Sequence, residues 1–128
     1  MPKCDNIATP LNAVIGIDQQ AITTPINGAS VALKGLVSLA WFFFCNAYTS
    51  GTLTFAVEVS ADNSTWVALD EKYVIRPNAP VQITADNQIV KIGINGLDDE
   101  AQKYARLVTV GTVVLSGCAL AIGEPDAR

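Results

Sequence analysis

Acid–base work on a protein needs titratable side chains that can be brought together, and in this chain the carboxylates are the first candidates. Glu58 falls in an alternating stretch with Asp70 and Glu71 shortly downstream, which makes Glu58 with Asp70 or Glu71 the best available acid/base pair for a hydrolytic reaction. The plainer reading is favoured: solvated carboxylates on an outward strand face, since no pocket-forming pattern accompanies them. Asp98, Asp99 and Glu100 offer oxygen ligands of the kind calcium takes, but they are consecutive rather than alternately spaced and read as a solvated charge run. Cys4, Cys45 and Cys118 fit no metal-ligand spacing, and an odd number leaves at least one unpaired within the chain. Reduced thiols are the expectation. The chain has no histidine, so Ser-His-Asp and Cys-His nucleophile arrangements and His-based zinc sites are excluded. Neither GxGxxG nor GxxxxGK[ST] occurs. No enzyme activity, metal or cofactor is therefore expected.

Two aromatic residues could do binding chemistry. Trp66 and Tyr48 are candidates for stacking on a sugar ring, although an aromatic just after a hairpin turn, as Trp66 is, more often belongs to a core. Asn63-Ser64-Thr65 matches a glycosylation acceptor. The opening MPKCDNIATP has one Lys and no apolar run, so no secretory signal is expected there and the triplet reads as turn chemistry.

The elements that must position these residues are strands. From Thr52 to Ser60 the residues alternate, with Leu53, Phe55, Val57 and Val59 on one face. Ala61 to Ser64 supplies Asp and Asn for a reversal, and Thr65 to Asp70 returns as the second arm of a hairpin. In the run Leu36 to Asn46 the odd face, Val37, Leu39, Trp41, Phe43 and Cys45, is wholly apolar and should enter the core. Its even face carries Phe42 and Phe44, which a solvent-facing strand does not normally expose. Something must cover them, either another part of the same chain or a neighbouring subunit.

Further strands are expected over Ala29 to Leu33, Lys72 to Ile75, Val81 to Thr84, Gln88 to Ile94, Lys103 to Val110 and Thr112 to Ile122. Tyr48 to Gly51 and Ala85 to Asn87 read as turns, Asn95 to Gln102 as a solvated loop, and Gly117 as a bulge or close approach. About eight short strands and no convincing helix predict an all-β fold, an antiparallel β-sandwich of jelly-roll type. Residues 1–28, broken by Pro2, Pro10 and Pro25, read as an extended N-terminal arm holding one or two short strands, whose Val14, Ile15 and Ile17 lie on a neighbouring surface. Residues 29–123 form the sandwich and 124–128 a polar tail.

With 128 residues the chain fits one domain, and 16% charged residues against 50% hydrophobic ones leave less solvated surface than a monomer usually carries. Other chains should cover part of it. A net charge of −4 with scattered basic residues opposes binding to nucleic acid or an anionic membrane, and the most apolar run, Leu36 to Cys45, is too short to span a bilayer. A soluble protein made in the cytoplasm is the expectation.

Three stretches, GTLTFAVEVSADNSTWVAL, ITADNQIVKIGINGL and KYARLVTVGTVVLSGCALAIG, resemble the cement or head-decoration proteins encoded beside the major capsid protein of tailed bacteriophages. The resemblance runs from about Ile17 to Gly123. It implies a non-enzymatic virion protein, made in the host cytoplasm, that oligomerises as a dimer or trimer on the outer capsid surface and bridges capsomers of the major capsid protein. Val14, Ile15, Ile17, Phe42 and Phe44 are then its oligomer or capsid interface. The S-x-D-x-S-T-W pattern also resembles the hairpin of carbohydrate-binding sandwiches, the alternative being a sugar-binding module of a phage tail or fibre using Tyr48 and Trp66.

Overall fold

The computed structural model describes residues 13–33, 36–76, 81–95 and 102–125. Nine strands lie among them: β1 (Ala13–Ile22), β2 (Val31–Ala32), β3 (Leu36–Gly51), β4 (Thr54–Ser60), β5 (Val67–Ala68), β6 (Val74–Ile75), β7 (Ile89–Asn95), β8 (Tyr104–Val110) and β9 (Val113–Pro125). They form two antiparallel sheets, one in the order β1-β9-β3-β7-β6 and the other β2-β8-β4-β5. The fold is an all-β sandwich, as the alternation predicts.

Between the sheets lies one core. Leu39, Trp41, Phe43 and Cys45 of β3 face Leu53, Phe55, Val57 and Val59, and all are buried. Phe43 and Phe55 meet with ring centroids 5.0 Å apart and planes tilted by 46°, an arrangement that suits the quadrupoles of two aromatic rings. Trp41 is wholly buried, and its Nε1 donor has no hydrogen-bond partner. The indole fits because position 16 is glycine: a Cβ there would stand 3.0 Å from Trp41 Cδ1.

The predicted hairpin is present, with a shorter second arm. β4 and β5 pair at Glu58 with Ala68 and Val59 with Val67. Its turn is held by Asp62, whose Oδ1 accepts hydrogen bonds from Thr65 N (2.8 Å), Ser64 N (2.9 Å) and Ser60 Oγ (2.9 Å), while Asn63 takes a left-handed φ of 62°. Those donors, the Thr65 and Ser64 amides first, hold the Asp62 carboxyl below its ordinary pKa. A lowered folded-state pKa means that Asp62 contributes stability above the unfolded value of about 4, lost as pH falls through the folded one. Asp62→Asn should therefore flatten the acid limb of stability below about pH 4, read from urea midpoints across pH. An unchanged acid limb would contradict this.

Three elements differ from the sequence reading, each for a local reason. Residues 13–28 are not an arm: β1 pairs along β9 from Ala13 with Ile122 to Ile22 with Leu115, and Thr109 Oγ1 takes the Ile26 amide at 2.8 Å as the chain crosses to the other sheet. Ala13, the first described residue, is already part of the sandwich, and residues 1–12 lie outside the described residues. At the other end β9 continues through Glu124 and Pro125, so the tail expected over 124–128 starts inside a strand.

Val81 to Thr84 is not a strand. Ile83 alone, fully buried, exchanges two backbone hydrogen bonds with Leu53 (2.9 and 3.1 Å), while the Thr84 and Ala85 amides are taken by Gln88 Oε1. Lys72 to Ile75 opens as a 3-10 turn over Glu71–Tyr73, because Asp70 Oδ1 caps it by accepting from Lys72 N at 3.0 Å. Tyr48 to Gly51 continues β3 instead of turning, its register against β9 shifting between Cys45 and Ala47 and between Tyr48 and Ser50. The predicted Gly117 irregularity lies opposite the first of these shifts, where Cys45 pairs with Gly117.

Candidate interaction face

A strand sends alternate side chains to opposite faces, so the five-stranded sheet that gives Trp41 and Phe43 to the core must turn Phe42 and Phe44 away from it. The register extends that outward face across the sheet. Phe42 lies between Leu120 of β9 and Lys91 of β7, and Phe44 between Cys118 and Ile89. Ala40 pairs with Gly93, which pairs in turn with Ile75 of β6.

The result is a largely apolar patch over several neighbouring rows, with Ile15, Leu120 and Phe42 in one that ends at Lys91, Cys118, Phe44 and Ile89 in the next, and Ile75 beside Gly93 on the other side. Phe42 and Phe44 are half-buried, whereas Ile75 and Ile89 are each 44% exposed. Lys91 Nζ lies 5.8 Å from the Phe42 ring centroid, a cation held near the aromatic face. Leu120 and Cys118 are buried and form a small cluster of their own, with Ile15 and Phe44 packed against it. A sheet apolar on both faces is ordinarily covered on both.

Of the other predicted contact residues, the structure separates Ile17 and Val14 from this face. Ile17, 3% exposed, points into the sandwich's own core and is not available as an interface residue. The register shift between Ile15 and Ile17 sends Ile15 outward and Ile17 inward without the simple alternation the sequence suggests. Val14 is exposed at the mouth between the sheets, where with Val31, Leu36, Leu39 and Ala121 it lines an open cleft of about 310 Å³. Ile75 and Ile89 were missed. The signal for Ile89 was there in sequence, since it shares a strand parity with Lys91 and not with Val90.

The candidate carboxylates are each engaged with a cation or a backbone donor. Glu58 Oε1 accepts from Arg106 at 2.6 Å and 2.9 Å across the β4–β8 pair. Glu71 pairs with Arg76 at 3.0 Å, and Asp70 caps the 3-10 turn. Asp98, Asp99 and Glu100 lie outside the described residues. Among the described residues no group of three or more His, Cys, Asp or Glu side chains is placed to hold a metal ion.

Tyr48 and Trp66 do not form one platform. Tyr48 sits on β3 of the five-stranded sheet, where its hydroxyl donates to Gly51 O at 2.6 Å. Trp66 follows the turn at the far end of β4, in the other sheet, and the Arg106 guanidinium stacks over its ring at 4.3 Å. Arg106→Ala should cost about 1 kcal/mol, from a partly exposed ion pair and a cation–π contact, and shift the Trp66 fluorescence to the red as water reaches the ring. Unchanged emission and stability would show the stack to be idle.

Cys45 is a free thiol facing the core, and burial pushes its pKa up, with Asp86 nearby adding to the rise. It is thus an inert packing residue at neutral pH. Cys118, on the outward face, is disulfide-bonded, which departs from the expected reduced thiols. No helix among the described residues is long and apolar enough to cross a membrane.

No family model matches the chain, and a comparison with curated proteins gives no match. Among solved structures, the crystal structure of the SPBc2 prophage-derived protein YomS is similar, with a TM-score of 0.53 and 14% sequence identity over 87% of this chain and 89% of that one. At that identity the likeness is one of fold: the two chains share an all-β architecture over nearly their whole lengths.

Proposed function

We propose that this chain is a non-enzymatic bacteriophage structural protein that binds the outer surface of a head shell and bridges neighbouring capsomers. The observation that carries the reading is the outward face of the five-stranded sheet, on which Phe42, Phe44, Ile75 and Ile89 lie in three neighbouring cross-strand rows. A prophage-derived protein of the same fold and the resemblance of three stretches to head-decoration proteins support it. The partners are the major capsid protein and further copies of the chain in a dimer or trimer, with no nucleic acid or membrane involved.

The physics is multivalent. Each copy buries a modest apolar area against several shell subunits, and simultaneous engagement raises the effective affinity well beyond that of any one contact. A carboxylate placed in such a contact must be desolvated without a fixed partner. Phe42→Asp should weaken co-sedimentation with expanded heads of the encoding phage by roughly tenfold or more, equivalent to at least about 1.4 kcal/mol. Phe42 is half-buried and lies beside Lys91, which can pair with the new carboxylate, so the fold should persist by circular dichroism. A folded variant that binds heads as well as the parent chain would overturn the proposal.

A further inference from the structure

Asn27 is exposed and is followed by Gly28, whose missing side chain leaves its backbone nitrogen unhindered beside the Asn27 side-chain amide. The fold takes hold of that nitrogen. Where the chain passes from β1 to β2, residues 26–28 dock along the edge of β8. The Gly28 amide donates to Leu107 O at 2.7 Å, the Thr109 amide to Ile26 O at 2.9 Å and the Ile26 amide to Thr109 Oγ1 at 2.8 Å, with Asn27 bridged to Val108. On the other side the Ala29 amide donates to Gly16 O at 2.8 Å. A Cβ at position 28 would stand 2.6 Å from Leu107 O and 2.7 Å from Gly16 O, so Gly28 fills a slot with no room for a side chain.

We infer that Asn27 is a self-modification site, a deamidation centre that the docked segment keeps shut and that reacts when residues 26–29 leave β8. In the reaction hydroxide takes the Gly28 amide proton and the nitrogen attacks Asn27 Cγ. The new C–N bond closes a five-membered succinimide, and Nδ2 takes a proton back from water and leaves as ammonia. Water then opens the ring at either carbonyl, giving aspartate or isoaspartate, so the net change is one amide and one water for one carboxylic acid and one ammonia. Docking opposes the first step twice. Leu107 O holds the Gly28 proton, and the extended backbone at Asn27 keeps the nitrogen away from Cγ, whereas ring closure needs the chain to rotate out of that conformation.

The product does not fit back. Isoaspartate adds a backbone carbon between Ile26 and Gly28, which breaks the spacing of the bonds to Thr109 and Leu107. Either product also sets a carboxylate in the recess of about 230 Å³ that Asn27 shares with Asp18. Deamidation thus makes a transient opening of this crossing permanent. The inference does not depend on the shell-binding proposal.

The test incubates the full chain in mildly alkaline buffer and, in parallel, in denaturing guanidinium, with tryptic peptides weighed and fragmented over time. Trypsin places Asn27 in residues 4–34 and the chain's other Asn-Gly pair, Asn95 with Gly96, in 92–103. In guanidinium both asparagines should convert to the acid. In buffer Asn27 should react at least about tenfold more slowly than in guanidinium, as expected of a segment open less than about a tenth of the time. Thr109→Val removes the acceptor of the Ile26 amide and should raise the rate in buffer roughly threefold or more, with the guanidinium rate unchanged. If that variant does not fold by circular dichroism, the parent chain in guanidinium below its unfolding midpoint replaces it, and its rate at Asn27 should climb in the same way. An unreactive Asn27 in guanidinium, equal rates in buffer and guanidinium, or a loosened segment that reacts no faster would each overturn the inference.

Discussion

Gly117→Val is expected to abolish folding. Gly117 lies on β9 opposite Cys45, where β3 slips in register, and a Cβ at this position would stand 2.5 Å from Phe44 O and 2.6 Å from Phe43 Cζ. The first obstacle is backbone of the neighbouring strand, which cannot yield without breaking the β3–β9 ladder. The second is a ring that is itself 1% exposed and packed on Phe55. Overpacking a well-filled core costs about 1–3 kcal/mol when side chains can adjust, and here they cannot, so a cost of at least about 3 kcal/mol is expected. Valine's branched carbons add to the clash. The check is the urea midpoint and the fraction of soluble protein on expression. A soluble variant with a parental midpoint would show that β3 and β9 are less tightly joined than the register indicates.

Phe43→Ala is expected to remove about 3–5 kcal/mol, the range for deleting a fully buried aromatic ring. Small domains have roughly 5–15 kcal/mol in total, so the variant should be marginal at 25 °C and unfolded at higher temperature. Phe43 lies at the centre of the longest paired strand and touches both the opposite sheet, through Phe55, and the space beside Gly117. Combining Phe43→Ala with Gly117→Ala offers a sharper check. The double variant should be more stable than the sum of the single costs predicts, because the missing ring removes the clash with Phe43 while the one with Phe44 O remains. Strict additivity would contradict that.

Much of the core was legible because it rests on alternation. The odd residues of β3 from Leu39 to Cys45 and the Leu53, Phe55, Val57 and Val59 set of the hairpin all enter the core. β1 was harder to read, since its register breaks on either side of Ile17 and Pro25 follows it closely, so a ten-residue strand of the sheet read as a short strand within an arm. Ile83 shows the opposite error: a short alternating run held by one buried residue and a glutamine side chain looked like a strand.

The outward apolar face was legible at Phe42 and Phe44, where two aromatics break the polar side of a strand. Its reach to Ile75 and Ile89 depends on which strands lie beside β3, and sheet order is set by pairings far apart in sequence. The Glu58, Arg106 and Trp66 stack is of the same kind, with Arg106 forty residues beyond Trp66 and brought in only by the β4–β8 pairing. Glu58, read from sequence as a solvated carboxylate, accepts two hydrogen bonds from that cross-strand Arg106.

The most direct test of the central claim is an electron-microscopy density map of heads from the encoding phage decorated with this protein. The account predicts density for the sandwich on the outer shell surface, oriented so that the five-stranded sheet, with Phe42, Ile75 and Ile89, lies against capsid subunits or a neighbouring copy. Decorated heads in which that face looks out to solvent, or heads that carry no added density at saturating protein, would contradict it.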